Sequence, residues 1–219
     1  TAIPRSEHPR PDFGRTQWQT LNGTWQFCFD PKDEGLRGDW YEPGKGHFDR
    51  TVLVPFPWES KLSGTERPDY GGVAWYRREF TVPKGWKGKR THLCFGAADW
   101  HATVWVNGKQ VGTHEGGYSE FRFDVSESLR SDSSNVLVVR VYDVTDPSTP
   151  VGKQIPGWYT STSGIWQPVW LETSGNAWLS GLRMTPLSDA SHAPTGIVKF
   201  DKRLAGDIGQ IARVVVESK

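Results

Sequence analysis

Apolar and polar residues alternate with a period of two in one short segment after another along this chain. That is the pattern of strands with one wet face and one buried face. The segments fall at residues 24–29, 73–82, 89–95, 102–106, 121–125, 136–142 and 169–173. In Val136-Leu137-Val138-Val139-Arg140-Val141-Tyr142 the apolar run is almost unbroken, which predicts a central strand covered on both faces. Asn107-Gly108 lies between Val104-Trp105-Val106 and Lys109-Gln110-Val111 and supplies the positive backbone dihedrals of a two-residue hairpin turn. Asn22-Gly23 suggests a similar turn. It also accounts for Asn22-Gly23-Thr24, which fits a glycosylation pattern. No window carries a helical stripe, although residues 125–129 can form one turn after an Asp124 cap. Short strands without helices predict an all-β fold, a β-sandwich or jelly roll. An α/β barrel is excluded, since it needs about 250 residues and abundant helix.

The pattern changes near Met184-Thr185-Pro186-Leu187. A polar stretch, residues 188–194, leads to strand-like segments at 195–200 and 211–217. An isolated hairpin is marginal in water. We therefore expect one sandwich over residues 1–187, and over 188–219 a linker with the first strands of a second, shortened sandwich.

Composition sharpens this picture in two places. Twelve Trp, ten Phe and six Tyr, with 24 Gly and 15 Pro, suit pleated half-buried surfaces joined by tight turns. The 26 basic and 25 acidic residues nearly cancel and form no long run, so neither nucleic acid nor an anionic membrane is indicated as a partner. Cys28 and Cys94 each sit in an apolar run, which favours two buried free thiols, with a disulfide as the alternative. No stretch is long and apolar enough for a membrane-spanning helix. The compartment is weakly constrained, with a secreted or periplasmic setting preferred. The chemistry-bearing motifs are sparse. Residues 117–121 lack the final glycine of a nucleophile elbow around Ser119, and the six histidines show no zinc spacing. Asp30, Asp33 and Glu34 read as an acidic turn more readily than as a calcium loop. No cofactor and no metal are expected.

Four segments, in order, carry a resemblance. They are Val54-Pro55-Phe56-Pro57-Trp58-Glu59-Ser60 with Trp75-Tyr76-Arg77-Arg78-Glu79-Phe80; the run from Phe95-Gly96-Ala97-Ala98-Asp99-Trp100 through Asn107-Gly108 to Gly112; His114-Glu115-Gly116-Gly117-Tyr118 through Phe121-Arg122-Phe123-Asp124; and Trp158-Tyr159 through Ser163-Gly164-Ile165-Trp166-Gln167-Pro168-Val169-Trp170. Together they resemble the sugar-binding domain of glycoside hydrolase family 2. That resemblance implies a jelly-roll, galactose-binding-like domain followed by an immunoglobulin-like sandwich, whose first strands residues 188–219 would supply, and a catalytic barrel. The acid/base and nucleophilic carboxylates belong to the barrel, so no catalytic residue carries over to this chain. The partners implied are a carbohydrate and those further domains. The chain departs from the β-galactosidases of the family at two places: Pro57 stands where they lend an Asn, and Trp158-Tyr159 where they lend an acid.

The candidate carbohydrate contacts are Trp158, Tyr159, Trp100 and Glu59. An exposed aromatic ring stacks on the apolar face of a pyranose. Capping of the core is the competing reading for each ring, and Trp25, Trp105 and Trp170 are assigned to packing. For Glu59 the competing reading is a carboxylate that accepts backbone N–H groups in a loop, and Asp99 is expected to hold a turn. Arg77 and Arg78 alternate faces, which predicts that one meets a buried acid and the other is solvated. Three roles follow: an accessory domain shaping one wall of a glycosidase cleft, a self-sufficient carbohydrate-binding module, or a structural support for a barrel.

Overall fold

A computed structural model describes residues 2–144, 146, 154 and 157–206. The chain forms two compact units, Thr1–Thr173 and Ser174–Lys219. The expected strand at 211–217 lies outside the described residues. In chain order the strands are β1 (Trp18–Thr20), β2 (Gly23–Asp30), β3 (Arg50–Val54), β4 (Gly72–Phe80), β5 (Arg90–Phe95), β6 (Ala98–Asp99) and β7 (His101–Val106). They continue with β8 (Lys109–Glu115), β9 (Phe121–Asp124), β10 (Asn135–Asp143), β11 (Gly164–Ile165), β12 (Val169–Ser174), β13 (Ala177–Ser188) and β14 (Pro194–Gly206).

The first unit is an all-β sandwich. One sheet has six strands in the order β3-β2-β4-β10-β7-β8, and the other has four, β1-β12-β5-β9. Trp25, Phe27, Tyr76, Val104, Leu137 and Val139 from the first sheet meet Leu93, Phe95, Val169 and Leu171 from the second in a closed core. Each of these large side chains contributes about 1.5–3 kcal/mol by leaving water.

β10 lies between β4 and β7, and eight of its nine residues are buried. The physical reason is that the six-stranded sheet is covered twice. Leu137, Val139 and Val141 face the sandwich core, while Val136 and Val138 face a second cluster with Cys28, Val73, Trp75 and Trp105. Trp40, Tyr41 and Phe48, from the connection between β2 and β3, close that outer cluster. Tyr41 stacks on Trp105 at 5.2 Å and Trp75 stacks on it at 5.6 Å. Both cysteines are free and buried, and burial pushes the Cys28 thiol up to about 12.

The Asn107-Gly108 hairpin joins β7 to β8, with φ of 54° and 83° at its two turn residues. A single 3₁₀ turn forms at Ser126–Ser128, with Asp124 accepting from the Ser126 amide at 3.1 Å. Asn22-Gly23 is a different structure from the hairpin expected. It is a corner between sheets, because β1 pairs with β12 and β2 pairs with β3 and β4. The Asn22 side chain is fully buried, accepting from the Val169 amide and donating to the Pro4 and Arg5 carbonyls. It is therefore closed to glycosylation in the folded chain. The arginine expectation also needs correction. Arg77 and Arg78 do take opposite faces, but neither meets a buried acid. Arg77 donates to the Lys45 carbonyl and lies near the exposed Glu79, while Arg78 donates to the Thr24 carbonyl over the Trp25 ring. Backbone oxygens and ring faces replace the carboxylate.

In the second unit β13 and β14 pair as one long antiparallel hairpin. β13 runs through residues 184–187 without a break, and the polar residues after it form the connecting turn. There Asp189 accepts from the amides of Ser191 and Ala193. Met184 pairs with Phe200 and Pro186 with Val198, which lines apolar residues along one face; Met184, Val198 and Phe200 are exposed.

Candidate functional site

Four segments converge at one end of the sandwich: the loop after β3, the β6–β7 junction, the turn after β8, and the segment leading into β11. Their backbone is unusual, with cis peptide bonds at Val54–Pro55 and Asp99–Trp100. The two-residue strand β11 pairs with β6 and lies at the centre of the arrangement.

Glu59, Asp99 and Asp143 all project onto this centre, and all three are buried. Glu59 accepts from the Ser163 amide at 3.1 Å through Oε2, while its Oε1 is buried without a partner. Asp99 accepts from the Gln154 side-chain amide at 3.1 Å. Tyr76, from the centre of β4, receives the Ile165 amide on its hydroxyl at 3.2 Å. Burial raises the pKa of every acid in the group, and repulsion from Asp99 and Glu59 helps push Asp143 to about 7. The same burial pushes the Tyr76 phenol up, with Glu59 and Asp143 adding to it.

Glycine makes this close approach possible. A Cβ on Gly164 would stand 2.0 Å from the Tyr76 hydroxyl, and its φ of +78° disfavours any side chain. A Cβ on Gly117 would fall 2.4 Å from the Asp99 carboxyl. The Gly117 carbonyl instead accepts the Trp166 indole N–H at 2.8 Å.

The turn after β8 and the segment leading into β11 also carry an exposed rim of aromatic residues. Trp158, Tyr159 and Tyr118 are each about two-thirds exposed (66%, 63% and 66%). Tyr118 packs edge-on to Trp166, with ring centroids 6.0 Å apart, and its hydroxyl accepts from Gln154. Gln154 also accepts the Thr162 amide at 2.6 Å, which ties the Trp158–Tyr159 segment to Asp99 and Tyr118.

The structure thus brings Glu59 to the same strand as Asp99 and places Trp100 next to Asp99, partly buried. Trp158 and Tyr159 lie on the segment that enters the acid group. Sequence reasoning missed Asp143, Gln154, Tyr118 and Tyr76. Two signals were available: an acid closing the almost unbroken apolar run of β10, and an aromatic directly after paired glycines. Chemically the site offers stacking surface, hydroxyl and amide groups that donate and accept, and carboxyl groups whose pKa values burial raises. Among the described residues no group of His, Cys, Asp or Glu is suited to hold a metal ion.

Comparison with known proteins places the chain. Residues 18–174 match the family described as "Glycosyl hydrolases family 2, sugar binding domain". The chain is 28% identical over 221 residues to a β-glucuronidase of Canis lupus familiaris, covering 88% of this chain and 33% of the relative. It is 32% identical over 136 residues to a β-glucuronidase of Paenibacillus borealis, covering 61% and 22%. A β-galactosidase of Bacteroides ovatus is 32% identical over 170 residues, covering 74% and 18%. In fold it superposes on the β-glucuronidase of Ruminococcus gnavus solved with D-glucuronic acid. The TM-score is 0.71 at 23% identity, over 92% of this chain and 36% of that one. The chain spans about a third or less of the length of these relatives.

Proposed function

The chain belongs to glycosyl hydrolase family 2 through that family's sugar binding domain, and from this premise we propose that it is a non-catalytic accessory domain shaping one wall of a β-glycosidase cleft. The observation that carries the reading is the exposure of Trp158, Tyr159 and Tyr118 on two segments that Gln154 ties together. Three exposed aromatic side chains beside amide and hydroxyl groups suit the alternating apolar and polar faces of a pyranose. Hydrolysis of the O-glycosidic bond belongs to a barrel in the larger enzyme, where the paired carboxylates of this reaction reside. Glu59, Asp99 and Asp143 are buried and serve to hold the rim. The amphipathic β13–β14 hairpin supports a second sandwich, since its apolar face needs further strands to cover it.

An accessory wall binds sugar weakly on its own. Titration of this chain with p-nitrophenyl β-D-galactoside and β-D-glucuronide, followed by tryptophan fluorescence, is expected to saturate only at about 1 mM or above, near −4 kcal/mol. No p-nitrophenol is released. Turnover by this chain would overturn the non-catalytic reading, and a Kd below about 10 μM would favour a self-sufficient binding module.

A further inference from the structure

In β12, Val169 and Leu171 face the sandwich core, so Trp170 and Glu172 lie on the outer face of the four-stranded sheet. Both are nevertheless buried, and the segment before β1 helps to cover them. That segment is pinned along its length. The Asn22 side chain holds the Pro4 and Arg5 carbonyls, and the His8 ring stands edge-on to Trp18 at 4.8 Å. Arg10 pairs with Glu120 at 2.8 Å, and Arg15 with Glu172 at 2.9 Å. Between the pins the segment does not close on the sandwich. A cavity of about 380 Å³ remains, walled by residues 5–11 on one side and by Gln167, Pro168 and Trp170 on the other. Its polar groups are unspent. Arg5, Glu7 and Gln167 make no side-chain hydrogen bond or ion pair among the described residues, and Glu120 gives only Oε2 to Arg10. Gly96 completes the wall, donating its amide to the Pro168 carbonyl at 2.8 Å. A Cβ there would stand 2.7 Å from the Gln167 Cβ, so glycine leaves Gln167 its place.

The chemistry of the walls selects an occupant. Arg5 and Arg10 balance Glu7 and Glu120, so the cavity exerts no net pull on an ion of either sign. A guanidinium only donates and a carboxylate only accepts, whereas a hydroxyl does both. Neighbouring hydroxyls on one ring can therefore bridge the two charge types without bringing a charge of their own. At ~30 Å³ per molecule the space holds about a dozen waters, which is the size of one hexose and too small for two. We propose that this cavity is a carbohydrate subsite distinct from the aromatic rim, and that it takes one neutral hexose ring. Arg5, Glu7 and Gln167 hold the hydroxyls, and the rings of His8, Pro168 and Trp170 receive the apolar C–H face. Trp158, Tyr159 and Tyr118 take no part in the lining, so the inference stands apart from the rim reading.

The test titrates this chain, ¹⁵N-labelled, with methyl β-D-glucopyranoside and methyl β-D-galactopyranoside, and separately with sodium acetate and with glycine as an anionic and a zwitterionic probe. At least one glycoside is expected to shift the amides of Gly96, Gln167 and Glu120 and the Trp170 indole N–H, with a Kd of about 1–10 mM. Arg5→Ala and Gln167→Ala should each weaken that response about fivefold or more. Arg5 is exposed and Gln167 half-buried, so neither change threatens the fold. Trp158→Ala should leave the response as it is. The inference is overturned if those four resonances stay still up to about 100 mM glycoside, or if both variants keep the full affinity. It is overturned equally if acetate or glycine binds there more tightly than either sugar. Shifts confined to Trp158 and Tyr118 would remove this subsite and leave the rim standing, whereas shifts at Gly96 and Gln167 with a silent rim would do the reverse.

Discussion

Two groups of acids occupy the first unit, one made of the buried Asp30 with the half-exposed Asp33 and one buried around β11, and they are treated in opposite ways. In the connection after β2, Asp30 accepts from the Glu34 and Gly35 amides and from the Trp75 indole, at 2.8–3.0 Å. Beside it Asp33 forms a two-point pair with Arg140, at 3.1 and 2.7 Å. Every oxygen there has a donor, and the acids pin the aromatic cover of Trp40 and Tyr41 onto the sheet. Around β11, Glu59 accepts from the Ser163 amide and Asp99 from Gln154, no salt bridge to a cation is formed among the described residues, and Glu59 Oε1 is buried without a partner. An acid used purely for structure is surrounded by N–H groups. One left short of donors keeps its proton and becomes responsive to pH.

The largest effect should come from the point where the β11 group depends on geometry rather than on donors. Gly164→Ala places a methyl group 2.0 Å from the Tyr76 hydroxyl and 2.8 Å from the Trp58 ring, both fully buried, at a positive φ. We expect a loss above about 4 kcal/mol in urea unfolding. A loss below about 1 kcal/mol would show that β11 yields easily and that its close packing is not what assembles the acids.

Next is the satisfied group. Asp30→Ala leaves two amides and one indole N–H without their acceptor under a packed cover. The expected cost is about 3 kcal/mol, with loss of near-ultraviolet dichroism from Trp75 and Trp105 as the cover loosens. Unchanged stability would place the strength of that cover in ring packing alone and weaken the contrast drawn above.

How much of this was legible in sequence follows from how local each cause is. The Asn107-Gly108 hairpin was readable because the two turn residues fix it by themselves. β10 was readable as a central strand because cover on both faces leaves an unbroken apolar run. The covering element was not readable, since Trp40 and Tyr41 lie in an irregular connection whose partners, Trp75 and Trp105, are distant in sequence. The Asn22 corner misled for the opposite reason. Asn-Gly has the same local preference in a hairpin and in a crossing between sheets, and the buried amide that decides between them reaches Val169. Glu59 was anticipated as an acceptor of backbone N–H groups, and it accepts Ser163, 104 residues away. Its companion Asp143 was missed because at the end of an apolar strand an acid reads as the start of a loop.

The pH response sharpens the contrast further. A folded pKa raised above that of the unfolded chain contributes stability that is complete below the unfolded value and is lost as pH rises through the folded one. For Asp143 that window runs from the ordinary aspartate value of 3.8 to about 7. Each proton released in it lowers the free energy of unfolding by about 1.4 kcal/mol per pH unit. Thermal melts of the wild type are expected to decline between pH 5 and 7, and Asp143→Asn should remove most of that slope and be the more stable protein at pH 8. If the two slopes coincide, another group carries the response, and the β11 acids are as settled as Asp30.

The smallest effect on stability is expected at the rim, and there the smallness is itself informative. Trp75 and Trp158 carry the same indole, but Trp75 is fully buried with its N–H on Asp30, whereas Trp158 is 66% exposed. Trp158→Ala should therefore change unfolding by less than about 0.5 kcal/mol, and Tyr159→Ala likewise. If the ring stacks on sugar, the same substitution should weaken the fluorescence-detected response to glycosides several-fold, since aromatic contact is the main apolar surface the rim offers. A cost above about 1 kcal/mol would make Trp158 a cap on the sandwich. The stacking surface would then have to be sought at Tyr118, whose hydroxyl is already tied through Gln154 to Asp99.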